Sequence, residues 1–308
     1  MNDYERFQLT EEDIKFGIEG FLEQIVREAR KKMAKTLEDL SSKEPKISYL
    51  VGQPGSGKTT LGNFVEDEYA EKDEWAVEIG ADKIATFHRY YDELVKLLPE
   101  DCYTISRQFV RPAQNVILKK IMEQKISVIM EASFTKGEKD YEDMRKFKDN
   151  GYNVEVNVMA VDKYESFLSC IERDLLLLEL GYDPRPVARS NHDRMYDPFL
   201  QEIMVMQRSG ICDNVRVFTR GKARRPELVW QTGDNKYSCA QEAIISERAK
   251  GRKEILAEPH IYMERLRTAK TKIEMLVTDE KMQKNYLTQL SQLEKEFFNE
   301  LSFERNID

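Results

Sequence analysis

The chain has 308 residues, 41% of them hydrophobic, and carries 48 Lys and Arg against 56 Asp and Glu, a formal net charge of -8. That length buries a full α/β core, the composition is globular, and the acidic surplus argues against a protein whose main task is gripping nucleic acid or an anionic membrane. Cys102, Cys170, Cys212 and Cys239 lie far apart without metal-ligand spacing, and the acidic N-terminus has no apolar leader. The reading is a cytoplasmic protein with reduced thiols and no membrane span.

In chain order, Thr10 is expected to cap a helix whose apolar positions Ile14, Ile18, Phe21, Leu22, Ile25 and Val26 recur at helical spacing, so residues 1–45 are expected to pack an amphipathic helix on the core. Gly17 and Gly20 weaken that helix intrinsically, and packing must hold it. From Ile47 short β-rich runs alternate with helical stretches: "ISYLVG", "WAVEIG", "ISVIME", "VEVNVMAV" and "VRVFT". Nearly continuous apolar strands joined by helices predict an α/β fold, a mainly parallel sheet flanked by helices, over residues 46–235. Residues 236–308 carry no strand signal and are expected to form a helical extension. Apolar stripes through Ile273, Met275 and Leu276, and through Leu287, Leu290, Leu293, Phe297 and Leu301, predict two helices there, the second capped by Thr278. These helices are read as cover for the domain, or else as a self-association or partner surface.

The segment Gly52, Gln53, Pro54, Gly55, Ser56, Gly57, Lys58, Thr59, Thr60 fits the P-loop pattern G-x-x-x-x-G-K-[ST], between a predicted strand and a predicted helix. Glycines let backbone amides turn toward phosphate, Lys58 neutralises terminal phosphates, and the Thr59 hydroxyl is placed to ligate magnesium. Ligands in an open α/β sheet sit beyond the carboxyl ends of the strands. Asp82 after "WAVEIG", and Glu131 with Ser133 after "ISVIM", are therefore candidates for the same edge. Asp82 reads either as a base for a hydroxyl proton or as the cap of a helix starting near Lys83. Glu131 reads as a substrate- or water-holding group or as a helix start. Arg173 in "LSCIERDLLL" and Arg189 in "RPVARSNHD" form a pair suited to clamping phosphate.

"GQPGSGKTTL", "IGADKIATFHRYYDELVKL", "VIMEAS" and "VMAVDKYESFLSCIERDLLLLELGYDPRPVARSNHD" together resemble the zeta toxins, the kinases of epsilon/zeta toxin-antitoxin systems, from the N-terminal helix through about residue 220. The resemblance implies a P-loop kinase using ATP and Mg2+ at Lys58 and Thr59, with Asp82 as general base and Arg173 and Arg189 on the phosphates. It implies that Glu131 and Ser133 stand near a sugar nucleotide, with His88 and Asn115 in the same substrate shell. The substrate it implies is UDP-N-acetylglucosamine or a related UDP-sugar, phosphorylated on the 3'-hydroxyl of the amino sugar, and the partner is an epsilon-like antitoxin or a cis restraint by the C-terminal helices. Departures fall in the sugar-facing shell: His88 is followed by Arg89, Ala132 replaces a glycine, Thr135 stands where an arginine is frequent, and Asn115 aligns near an expected glutamate.

Two other readings stay open at this stage. One is a kinase resembling chloramphenicol phosphotransferase that acts on a different hydroxyl. The other is a nucleotide-controlled binding module, against which stand the missing N-K-x-D guanine signature and the lack of paired acidic residues at a Walker B strand end.

Overall fold

The computed structural model describes residues 5–30, 38–98, 101–134, 137–221 and 224–304; Thr135 lies outside them. The elements run α1 (Glu11–Arg30), β1 (Lys46–Val51), α2 (Lys58–Glu71), β2 (Ala76–Ile79), α3 (Ala81–Ala85), α4 (Tyr91–Leu97), α5 (Cys102–Glu123), β3 (Ser127–Ala132), α6 (Glu138–Asp149), β4 (Asn153–Met159), α7 (Lys163–Glu179), α8 (Arg189–Arg194), α9 (Pro198–Ser209), β5 (Asn214–Arg220), β6 (Pro226–Gln231), α10 (Ala240–Ala257), α11 (Pro259–Leu276) and α12 (Glu280–Glu304). The strands form one six-stranded sheet in the order β2-β3-β1-β4-β5-β6. It is the expected mostly parallel sheet flanked by helices. β2 and β3 pair in parallel, Ile79 opposite Met130, and β5 and β6 pair antiparallel with an irregularity at Val217/Phe218.

β6 is the strand that the sequence reading lacks. It begins at Pro226, and its first positions are exposed or half-buried. A proline and a poorly buried run are what an edge strand tolerates, and they leave no continuous apolar signal. The single helical stretch expected after "WAVEIG" is three helices, α3, α4 and α5.

The described chain divides into two compact units: Met1–Tyr49, Asn63–Glu131 and Glu142–Glu155 in the first, Leu50–Gly62, Ala132–Tyr141 and Val156–Asp308 in the second. In the first unit Thr10 caps α1 as expected: the Asp13 N–H donates to Thr10 Oγ1 at 3.2 Å, and the Thr10 N–H donates to Asp13 Oδ2 at 3.0 Å. Gly17 is where α1 meets α5, because a Cβ there would lie 2.6 Å from the Phe109 ring and 2.7 Å from the Phe87 carbonyl oxygen. Packing thus explains a residue that propensity alone disfavours.

In the second unit the C-terminal helices build core rather than decorate it. Tyr164, Phe167, Leu168, Ile171 and Leu175 of α7 form one buried cluster with Tyr262, Leu266 and Ile273 of α11 and Leu290, Leu293 and Phe297 of α12. Three details differ from the expected stripes. The extension has three helices, Pro259 restarting the chain at the first position of α11. Met275 is 75% exposed and lies off the apolar face. Asp279, not Thr278, caps α12, accepting the Met282 N–H at 2.7 Å. Among the described residues no helix is long and apolar enough to cross a membrane.

Candidate active site

The phosphate loop lies in the second unit. Gly55 has φ +72°, and a Cβ on it would lie 2.0 Å from the Ser166 carbonyl oxygen, so the loop runs against α7 where only glycine fits. Gln53 is fully buried. Its amide donates to the Val161 carbonyl (2.8 Å) and to Ser166 Oγ (3.1 Å), and its Oε1 accepts from Arg248 of α10 (3.2 Å). Pro54 follows, half-buried. Ser56 N–H closes a turn on the Gln53 carbonyl at 3.2 Å. The Ser56 hydroxyl is buried without a hydrogen-bond partner among the described residues.

α2 starts at Lys58, whose ammonium donates to the carbonyls of Gly52 (3.0 Å) and Gln53 (3.3 Å). Thr59 and Thr60 are exposed in the first turn of α2. A helix of 14 residues opening at this loop directs its unpaired N–H groups and the positive end of its dipole to the same place.

Behind the loop stands Arg220, the last residue of β5. It donates to the Gly55 carbonyl, to the Ser56 carbonyl (3.3 Å), to Glu165 Oε1 (2.7 Å) and to Ser169 Oγ (2.9 Å). Burial lowers its pKa, Glu165 opposing that shift. Beneath Gln53, Ser166 Oγ lies 2.9 Å from His192 Nε2, and His192 Nδ1 lies 2.9 Å from Asp193 Oδ1. Burial pushes the imidazole below its usual pKa against the pull of Asp193, so the ring is neutral near pH 7. An ionised carboxylate only accepts, which assigns the ring proton to Nδ1 and leaves Nε2 to accept from Ser166.

The two candidate arginines are both in this unit and both engaged. Arg173, on α7, donates to the buried Asp174 carboxylate (3.1 and 2.8 Å) and to the Arg185 carbonyl (2.6 Å). Asp174 also accepts from Tyr286 of α12 at 2.9 Å. Arg189 opens α8; its guanidinium stacks 4.7 Å from the Phe167 ring centre and pairs with Asp193 (2.8 Å) and with Glu296 of α12 (3.1 Å). Its backbone N–H donates to Gln289 at 2.9 Å. Arg189 Nη1 is buried with no partner among the described residues.

The candidate carboxylates lie in the first unit. Because β2 and β3 are parallel and in register, Asp82, three residues past Ile79, and Glu131, one past Met130, sit at the same end of that strand pair, both exposed. Asp82 is inside the first turn of α3, whose N-cap position is Gly80, so the reading of Asp82 as a cap is corrected. Glu131 belongs to β3, which rules out the helix-start reading. Ser133, in the second unit, is half-buried just past that strand. His88 is 2% exposed, its Nδ1 accepts the Tyr90 N–H at 3.1 Å, and burial lowers its pKa. Asn115 is exposed on α5.

Arg220, Arg248, Ser166 and His192 escaped the sequence reading. Arg220 alone carried a usable signal, its place at the carboxyl end of the "VRVFT" strand.

A mostly parallel sheet with a Gly-Lys-Thr loop between its first strand and a helix, arginines around that loop, defines a P-loop protein of the α/β class. The zeta toxin family model matches residues 30–227. The chain belongs to the zeta toxin family. It is similar to the toxin zeta of Streptococcus pyogenes, 24% identical over 177 residues, 57% of this chain and 61% of that one. It is also similar to the toxin PezT of Streptococcus pneumoniae, 22% identical over 220 residues, 70% of this chain and 84% of that one. The matched region spans about three fifths of the length of the toxin zeta relatives. Among solved structures, one of the PezAT chromosomal toxin-antitoxin system of Streptococcus pneumoniae shares the fold with a TM-score of 0.66 at 18% identity, covering 89% of this chain and all of that one. The AvrRxo1-ORF1:-ORF2 structure with ATP follows at TM-score 0.54 and 16% identity, covering 89% of each chain.

Proposed function

We propose that this protein is an ATP-dependent kinase acting as the toxin of a toxin-antitoxin pair, and that it phosphorylates the 3'-hydroxyl of the amino sugar in UDP-N-acetylglucosamine or a related UDP-sugar. One observation carries the nucleotide part of the reading: inside a Gly-Lys-Thr loop of a zeta toxin family member, the buried Ser56 hydroxyl has no partner among the described residues. A buried polar group left unpaired is costly, and a phosphate oxygen wrapped by the loop satisfies it. The similar AvrRxo1-ORF1:-ORF2 structure contains ATP, which supports ATP as the phosphoryl donor here.

Residues 46–235 hold the transfer machinery in this reading. Lys58 exchanges its contacts with the Gly52 and Gln53 carbonyls for the terminal phosphates. Arg189 offers Nη1, which has no partner among the described residues, to charge building on the transferred group, Glu296 acting as the counter-charge that phosphate displaces. Arg173 serves the same end from α7. Asp82 accepts the proton of the substrate hydroxyl as its oxygen attacks the terminal phosphorus of ATP and ADP leaves, which needs mainly a positioned acceptor. Glu131, Ser133, His88 and Asn115 are assigned to the sugar-nucleotide side. The exposed Thr59 hydroxyl at the head of α2 would hold Mg2+, which would supply charge neutralisation at the phosphates. The partner is an antitoxin; the similar PezAT structure is of a toxin-antitoxin system.

An untargeted metabolite comparison of cells making the wild type or Asp82→Asn tests this. The expected result is a phosphorylated UDP-amino sugar accumulating only with the wild type. A different phosphorylated alcohol redirects the substrate assignment, and no phosphorylated small molecule at all overturns the kinase reading.

A further inference from the structure

The phosphate loop is held from behind by helices that lie outside its motif. Arg220 takes the carbonyls of Gly55 and Ser56 together. Since the peptide is planar and trans, fixing the Ser56 carbonyl fixes the Gly57 N–H on the opposite side of the loop. Arg220 is itself aimed by Glu165 of α7, 2.7 Å away.

Glu165 does not stand alone. Arg265 of α11 grips it through Nη1 (2.5 Å) and Nη2 (3.2 Å), and grips Glu172, two turns further along the same face of α7, through Nε (2.8 Å) and Nη2 (2.9 Å). The fork geometry of guanidinium lets one side chain lock two carboxylates at once. In parallel, Arg248 of α10 is 5% exposed, lies 3.7 Å from the Tyr196 ring centre and 4.9 Å from that of Phe199, and donates to Gln53 Oε1. Both Arg248 and Arg265 lie beyond residue 227, where the family match ends.

We propose that α10 and α11 position the phosphate loop, Arg248 through Gln53 and Arg265 through Glu165 and Arg220, so that nucleotide affinity is set by side chains outside the matched region. This rests on the reading of the loop as the ATP site. Arg248 and Arg265 are positioning residues: each acts on the loop through another side chain. The relay through Arg220 makes a specific demand, that loss of Arg265 and loss of Arg220 do not add.

The test uses the full chain as wild type, Arg220→Ala, Arg265→Ala, Arg265→Lys and the Arg220→Ala/Arg265→Ala double variant. Titration with a fluorescent ATP analogue is paired with amide hydrogen exchange of residues 52–57 in nucleotide-free protein. Arg265→Ala is expected to weaken nucleotide binding about tenfold, Arg265→Lys less, and the double variant no more than Arg220→Ala alone. Exchange at the loop is expected to rise in Arg265→Ala while α5 stays protected. Wild-type affinity and loop exchange in Arg265→Ala, or strict additivity in the double variant, overturns the proposal. If Arg265→Ala fails to fold, Arg265→Lys decides the matter, since it keeps the charge but cannot hold both carboxylates. If the wild type binds no nucleotide, the ATP reading fails while the exchange data still decide whether α11 positions the loop.

Discussion

At the scale of single residues, the loop's glycine at position 55 makes the sharpest claim. Gly55→Ala introduces a Cβ 2.0 Å from a backbone oxygen of α7 at a φ of +72°, and neither obstacle yields to a side-chain rotation. The left-handed conformation alone costs a non-glycine residue about 1–2 kcal/mol. The loop is expected to move off α7, weakening binding of a fluorescent ATP analogue by more than about tenfold, since 1.4 kcal/mol is a factor of ten. Affinity within about twofold of wild type, on the same scale, counts against the loop as the nucleotide site. Residues of this kind are legible because the motif is contiguous and each member has a separate physical duty. Arg220 is not, since an arginine at a strand end gains meaning only when the carbonyls it serves are known. Arg189 stood out in the sequence, yet its pairing with Glu296, more than a hundred residues later, is invisible there.

Elements were legible where periodicity was strong. The first five strands and α1 follow from apolar runs and a capped amphipathic pattern, whereas β6 carries no such signal because an edge strand starting with proline resembles loop. The C-terminal helices were recognisable as helices, but their depth was not: Ile273, Leu293 and Phe297 are fully buried against α7, and nothing in their spacing says what covers them. The grip of α11 on α7 is titratable. Burial alone would raise the Glu172 carboxyl, but hydrogen bonds and charge from Arg265, then Arg224, outweigh it and hold the group below its ordinary value of 4.5. A carboxylate depressed in the folded state stabilises fully above its unfolded pKa and loses that contribution as pH falls through the folded one. Thermal melts are therefore expected to drop as pH falls below about 4.5, the ordinary glutamate value, with a shallower drop in Glu172→Gln. An identical acid limb in that variant argues that the clamp contributes nothing.

For the molecule as a whole, a net charge of -8 coexists with the proposed phosphate site because the positive charge is local and arranged. Arg173, Arg189, Arg220, Arg248 and Arg265 each meet a carboxylate or carbonyl in the second unit, and three of the five pair with or reach groups on or from the C-terminal helices. Membership of the zeta toxin family accounts for the loop and the sheet. The most direct measurement incubates purified protein with ATP, magnesium and UDP-N-acetylglucosamine and follows the sugar nucleotide by mass spectrometry, beside Asp82→Asn. Addition of one phosphoryl group at the amino-sugar 3'-hydroxyl by the wild type, slowed about a hundredfold or more in Asp82→Asn, is the predicted result; an unmodified sugar nucleotide, or equal rates in the two proteins, contradicts it.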